Sequence, residues 1–164
     1  MATYIQQDDL SSFSIAADIH QNGGTVRVKN ETELHLDFNG ITINIRLVKG
    51  NINFISLSIQ DVITPPANMS KSDVLGVLNE HCLALVPCAI PTISNSTNDG
   101  QYILTVRSDI ASECGLIMEH FEFHVHRFSA FTNQLFAKLQ SAGCTVMAQE
   151  MIELLKNSEA ETHK

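Results

Sequence analysis

The four cysteines, Cys82, Cys88, Cys114 and Cys144, include no C-x-x-C pair. The chain therefore lacks the usual mark of a zinc ribbon or a dithiol redox centre. It has no P-loop and no G-x-G-x-x-G, the commonest cradles for phosphates and dinucleotides. No run approaches the roughly 18 apolar residues of a membrane helix, so no membrane insertion is expected. The opening MATYIQQDDLSSFS has neither a basic stretch nor an apolar one, and no signal peptide is expected. Cations are scarce, with 10 Lys and Arg against 18 Asp and Glu, a net charge of −8 and a pI near 5.2. Such a surface repels phosphate backbones and excludes nucleic acid as the expected partner, while a basic peptide segment suits it. The cysteines sit among apolar neighbours and read as buried, reduced thiols of a cytoplasmic protein.

What is present is material for a core. The chain has 164 residues, 44% hydrophobic and 17% charged, which fits one domain over 1–164. A first helix is expected from about Asp8 to His20, with Leu10, Phe13, Ala17 and Ile19 inward and Asn22-Gly23-Gly24 as its stop. Strands follow: Thr25–Lys29, then TELHLDF, with Leu34, Leu36 and Phe38 on one face. Asn39-Gly40 is a two-residue hairpin signal, because both positions tolerate positive φ. ITINIRLV and NINFISLSIQ complete a meander, and the change of apolar phase after Ile52 predicts a bulge near Phe54.

Ser70 and Asp73 make the S-x-x-D pattern of a capping box ahead of KSDVLGVLNEHCLAL. Val74, Leu78 and Leu85, with Val77 and Cys82 or Leu75, give that helix an apolar side, and Gly76 suggests close packing onto the sheet. Pro87 stops it. Two prolines in PCAIPTIS confine that stretch to a sheet edge or a connector. Gln101–Arg107 is the last strand expected. A long helix is then predicted from about Ser112 to Gln140, and an additional C-terminal helix within 142–157. SEAETHK, 158–164, is expected to fray. The expected fold class is α+β: an antiparallel sheet, made of a meander and a second hairpin, packed against helices.

Two readings compete for EHFEFHVHRF, Glu119–Phe128. As a strand it lines up His120, Glu122, His124 and His126 on one face, as a metal site would. At about 100° per residue, however, Ile117, Phe121, Val125, Phe128, Leu135 and Leu139 form one continuous face, with Met118 and Phe136 at its edge. The strand alternation fails at Arg127-Phe128, so the helix is the reading carried forward. His120 and His124 then stand four apart, the spacing of two metal ligands, but no third ligand joins them. Neither a metal nor another cofactor is expected. Leu116, Phe123, Ala130 and Ala137 recur every seven residues opposite the core face, a stripe on which helices meet closely. It is covered by the first or last helix of this chain, covered by a second copy or partner, or simply exposed.

Catalytic sets are weak. His81 and Cys82 are neighbours on a helix and project about 100° apart, so they cannot act as base and nucleophile there. Arg107–Ser112 most simply ends a strand and caps a helix. No catalytic residue is assigned, and the chain is expected not to be an enzyme.

The order helix, four-strand meander, helix, two strands, long helix resembles the YbjN-like bacterial family. The resemblance is carried by DFNGITINIRLVKGNINFISLSI, LNEHCLALVPCAIPTIS and DGQYILTVRSDIAS, and covers most of Asp8 to Gln140. It implies the fold of the class I type III secretion chaperones and a small acidic cytosolic homodimer that acts by binding proteins. The expected function is a non-catalytic protein-binding module, chaperone-like or regulatory. The interface residues expected are Leu116, Phe123, Ala130 and Ala137 on the stripe, with Ile90 and Ile93 on the proline-marked edge, Cys88 to Ser94, a site for strand addition. A stress-response adaptor is the alternative, and a metal-dependent enzyme using His120 and His124 a further one.

Overall fold

The computed structural model describes residues 3–84 and 88–147. The elements run β1 (Tyr4–Ile5), a 3-10 turn (Gln7–Asp9), α1 (Ser12–Gln21), β2 (Thr25–Asn30), β3 (Glu33–Phe38), β4 (Ile41–Val48) and β5 (Phe54–Thr64). Then come α2 (Lys71–Ala84), β6 (Ile90–Asn95), β7 (Tyr102–Ala111), β8 (Leu116–Ile117), α3 (Met118–Ser141) and β9 (Thr145–Val146). The main sheet has the order β2-β3-β4-β5-β7-β6, with β9 paired to β5, and β1 pairs with β8. The fold is α+β, as expected.

The meander is where the sequence pattern is strictest. Asn39 and Gly40 both take positive φ, 49° and 77°, as a tight hairpin requires. That turn sets Leu34 opposite Ile45 and Leu36 opposite Ile43. Alternation does the rest: Ile41, Ile43, Ile45 and Leu47 are buried, as are Ile55, Leu57 and Ile59. The β4–β5 ladder shows no bulge near Phe54. The β4–β5 pairing runs unbroken from Asn44–Ser58 to Val48–Phe54, and Ile52 lies before the strand, 61% exposed. The apolar phase changes because the turn ends there. The irregularity falls instead between Val28 and Asn30 of β2.

The chain divides into two compact units, 1–59 with 107–131, and 60–106 with 132–164. In the first, the fully buried side chains include Ile15, Leu34, Ile43, Ile45, Ile55, Leu57, Phe121 and Phe128. Here α1 lies against β2 and β3. Ser11 caps it reciprocally: its hydroxyl accepts from the Ser14 N–H at 3.2 Å, and the Ser14 hydroxyl accepts from the Ser11 N–H at 3.0 Å. Asp8 and Asp9 fall in the 3-10 turn, so the helix starts four residues later than expected. Ile15, Ala16 and Ile19 are buried, whereas Phe13 is 56% exposed and Ala17 is also outside.

In the second unit, Ile63, Val74, Leu78, Leu104, Leu135, Phe136 and Leu139 are buried. The capping box before α2 forms: the Ser70 N–H donates to Asp73 Oδ2 at 2.8 Å, and the Asp73 N–H donates to Ser70 Oγ at 3.3 Å. The inward face of α2 is Val74, Leu78 and His81, while Leu75 is exposed and Val77 and Cys82 are half-buried. Leu85 and Pro87 lie outside the described residues. Gly76 does not pack onto the sheet; a Cβ there would meet nothing within 4 Å. β9 falls at Thr145–Val146, inside the stretch expected to be helical, and pairs with Ile63–Thr64. Residues 148–157 of that stretch and the tail, 158–164, lie outside the described residues.

The long helix starts at Met118 rather than Ser112. β7 continues through Ala111, and the Ser112 N–H donates to the Asn53 carbonyl at 3.0 Å. Arg107–Ser112 therefore extends a strand rather than capping a helix. A turn at Gly115, with φ 93°, reverses the chain into β8. Of the four cysteines, none of them in a disulfide, Cys144 is buried, Cys82 and Cys88 are half-buried, and Cys114 is exposed, against the expectation of four buried thiols.

Candidate protein interface

The helical reading of Glu119–Phe128 holds, since the whole stretch lies in α3. Its core face is Phe121, Val125, Phe128, Phe131, Leu135, Phe136 and Leu139, all buried. Ile117, expected on this face, lies in β8 and is 38% exposed. The opposite face carries the seven-residue stripe. Phe123 is 64% exposed, and Ala130 and Ala137 are exposed two and four turns further along. At 1.5 Å per residue the three positions span roughly 21 Å of helix. The guanidinium of Arg127 lies 5.8 Å from the Phe123 ring centroid, one turn on. Leu116 leaves this stripe. It sits in β8, buried at 3%, paired opposite Ile5, because the chain is extended there rather than helical.

The three histidines of the stretch have separate surroundings. His120 is exposed. His124 Nε2 is 2.8 Å from the hydroxyl of Ser108 on β7, and burial, with the Arg127 charge added, pushes its pKa below the usual imidazole value. The ring and the Ser108 hydroxyl are thus joined by one hydrogen bond. His126 meets the Phe38 ring edge-to-face at 4.6 Å between centroids. Among the described residues no three His, Cys, Asp or Glu side chains converge as a metal site requires. Ser108 and His124 have the atoms of a nucleophile and its base. Ser108 is buried, however, so the pair serves as a tie between β7 and α3 within the first unit.

The second candidate surface is the edge strand β6. Pro91 lies within it, as the proline rule for edges requires. Its alternation exposes Ile90, at 70%, with Thr92 and Ser94, and half-buries Pro91 and Ile93. Ile90 and Ile93 therefore occupy opposite faces. The other edge, β2, is guarded differently: Arg27 pairs with Asp37 at 3.1 Å, Lys29 pairs with Glu33 at 3.2 Å, and the strand is irregular at Val28–Asn30. Charges and bulges on an edge discourage further pairing. β6, IPTISN, carries no charge at all.

Some exposed apolar residues had no sequence signal. Phe13 was expected inward, and Leu83, 88% exposed, lies beyond the buried face of α2. Among the described residues no helix is long and apolar enough to cross a membrane.

No protein-family model matches the chain, and no curated protein matches it in sequence. Among solved structures it is similar to YbjN, a proposed transcription regulator from E. coli. The two share 15% identity, with 80% of this chain and 93% of that one covered, at a TM-score of 0.55. The likeness is one of fold, and the fold is the YbjN-like α+β arrangement that the order of elements led one to expect.

Proposed function

We propose that this protein is a non-catalytic binding module, regulatory or chaperone-like, that self-associates through the outward face of α3 and takes up a segment of a partner protein. The observation that carries the reading is Phe123. A phenylalanine 64% exposed, in register with two exposed alanines on a helix whose opposite face is already core, leaves its apolar area facing water. Burying such a side chain contributes about 1.5–3 kcal/mol. Small residues at seven-residue spacing let a second helix approach closely, and a two-fold axis brings the same patch onto itself. The uncharged edge of β6 supports strand addition by a partner segment, and the net charge of −8 favours a basic one. The solved neighbour's description as a proposed transcription regulator supports the regulatory side of this reading.

Light scattering of the wild type and of Phe123→Asp tests the reading. The wild type is expected at twice the monomer mass of 18.1 kDa and the variant at the monomer mass, with partner capture weakened. A monomeric wild type, with no change of mass or of captured partners in the variant, overturns it.

A further inference from the structure

The first unit holds a cleft of about 250 Å3 at the end of α1, beside β3 and the first turns of α3. This is small against the roughly 300–1,000 Å3 of drug-sized sites, and suits one side chain. Leu36, Phe121 and Val125 form an apolar floor, and Phe38 and His126 line the cleft as a ring pair fixed edge-to-face. Glu122 and Asn22 stand at its rim. The Asn22 amide donates both to Glu122 Oε1, at 3.2 Å, and to Asp18 Oδ2, at 3.3 Å. Two carboxylates thus share one neutral donor, and Asp18 is only 8% exposed. Among the described residues no lysine or arginine pairs with either. Asp37, also at the cleft, is taken up by Arg27 and by the Thr42 hydroxyl. The last turn of α1 ends here as well, and the field at a helix C-terminus favours cations.

We propose that this cleft seats one arginine side chain from a basic segment of a partner protein, which deepens the protein-binding reading by naming the partner's chemistry. The methylene stem lies on the apolar floor. The planar guanidinium stacks on an aromatic ring and donates to the carboxylate of Glu122, whose Oε2 is not engaged by Asn22. Arginine rather than lysine fits, because only a planar fork both stacks on a ring and meets a carboxylate bidentately.

The test is an NMR titration of the 15N-labelled full chain with N-acetyl-Gly-Arg-Gly-amide. The citrulline tripeptide, equal in shape and neutral, and free arginine serve as comparisons. Saturable shifts are expected at the amides of Gly24, Phe38, Glu122 and His126, with binding at least about tenfold weaker for the citrulline peptide, since a charge-assisted hydrogen bond is lost. Glu122→Gln keeps the acceptor for Asn22 and removes the charge, and is expected to weaken arginine binding similarly. The citrulline comparison needs no variant, so a folding defect cannot mask the answer. No saturable shift at these amides, equal response to citrulline, or binding of free arginine with no binding of the tripeptide each overturns the proposal. Light scattering of the wild type reads the α3 interface and the titration reads this cleft, so a dimer without these shifts fails only this proposal, and a monomer with them fails only the interface.

Discussion

Replacing Gly76 by alanine is expected to stabilise the protein. Gly76 lies inside α2, five residues after its first residue, and does not have positive φ. A Cβ placed there meets nothing within 4 Å. No steric term opposes the change, so what remains is the difference in helix propensity. Glycine in a helix interior costs about 0.8–1 kcal/mol relative to alanine, much of it through the greater freedom of the unfolded chain. For a chain of this size that corresponds to a rise of about 2–4 °C in Tm. Urea unfolding followed by far-UV circular dichroism measures it directly: the midpoint should rise while the slope m stays constant. If the two units unfold in separate steps, the gain belongs to the step of the unit that contains α2. An unchanged or lowered midpoint would refute the reasoning. It would mean that the space beside Gly76 is occupied in solution, as when a second chain approaches the bare backbone at that point.

Gly115→Ala should act in the opposite direction. Its φ of 93° strains any Cβ, which would also lie 2.5 Å from the Ile5 carbonyl oxygen, so a loss well above 1 kcal/mol is expected in the same urea assay. Ser129 is fully buried in α3, with no partner for its hydroxyl among the described residues, and Ser129→Ala should raise stability by about 1 kcal/mol, since it removes an uncompensated desolvation cost and keeps the helix. The pKa of His124 is lowered from 6.5 in the fold, chiefly by burial, so the unfolded chain takes up the proton first. Its contribution is complete above about pH 6.5 and is lost as the pH falls below that value. Unfolding curves between pH 7.5 and about 5 should show a shallower decline for His124→Gln than for the wild type, and equal slopes would refute the assignment. His35, whose pKa burial also lowers, adds a separate loss in the same direction.

Local chemistry made several elements legible. The hairpin at Asn39-Gly40 was readable because two consecutive positive φ values restrict residue choice so strongly. The meander was readable because one buried face imposes a period of two. The capping box at Ser70 and Asp73 needs only residues three apart. The start of α3 was not legible: Ser112–Ile117 has helical spacing, but its backbone groups find partners in Asn53 and in β1, which lie far away in sequence. Those pairings override a local preference and bury Leu116. Gly76 misled for a related reason, since a glycine in a helix invites an explanation by close packing that only the neighbouring atoms can supply.

The sequence by itself determined the class of fold, the net charge of −8, and the outward position of Phe123, Ala130 and Ala137. Each follows from composition or from one period along one element. Tertiary structure alone decided that β6 stands at the end of the sheet order, next to β7. It also brought Asn22, Phe38 and Glu122, up to 100 positions apart, around a single cleft. Such a site has no local signature, because the chain reversals that assemble it are fixed by burial of the core and not by the residues that line it.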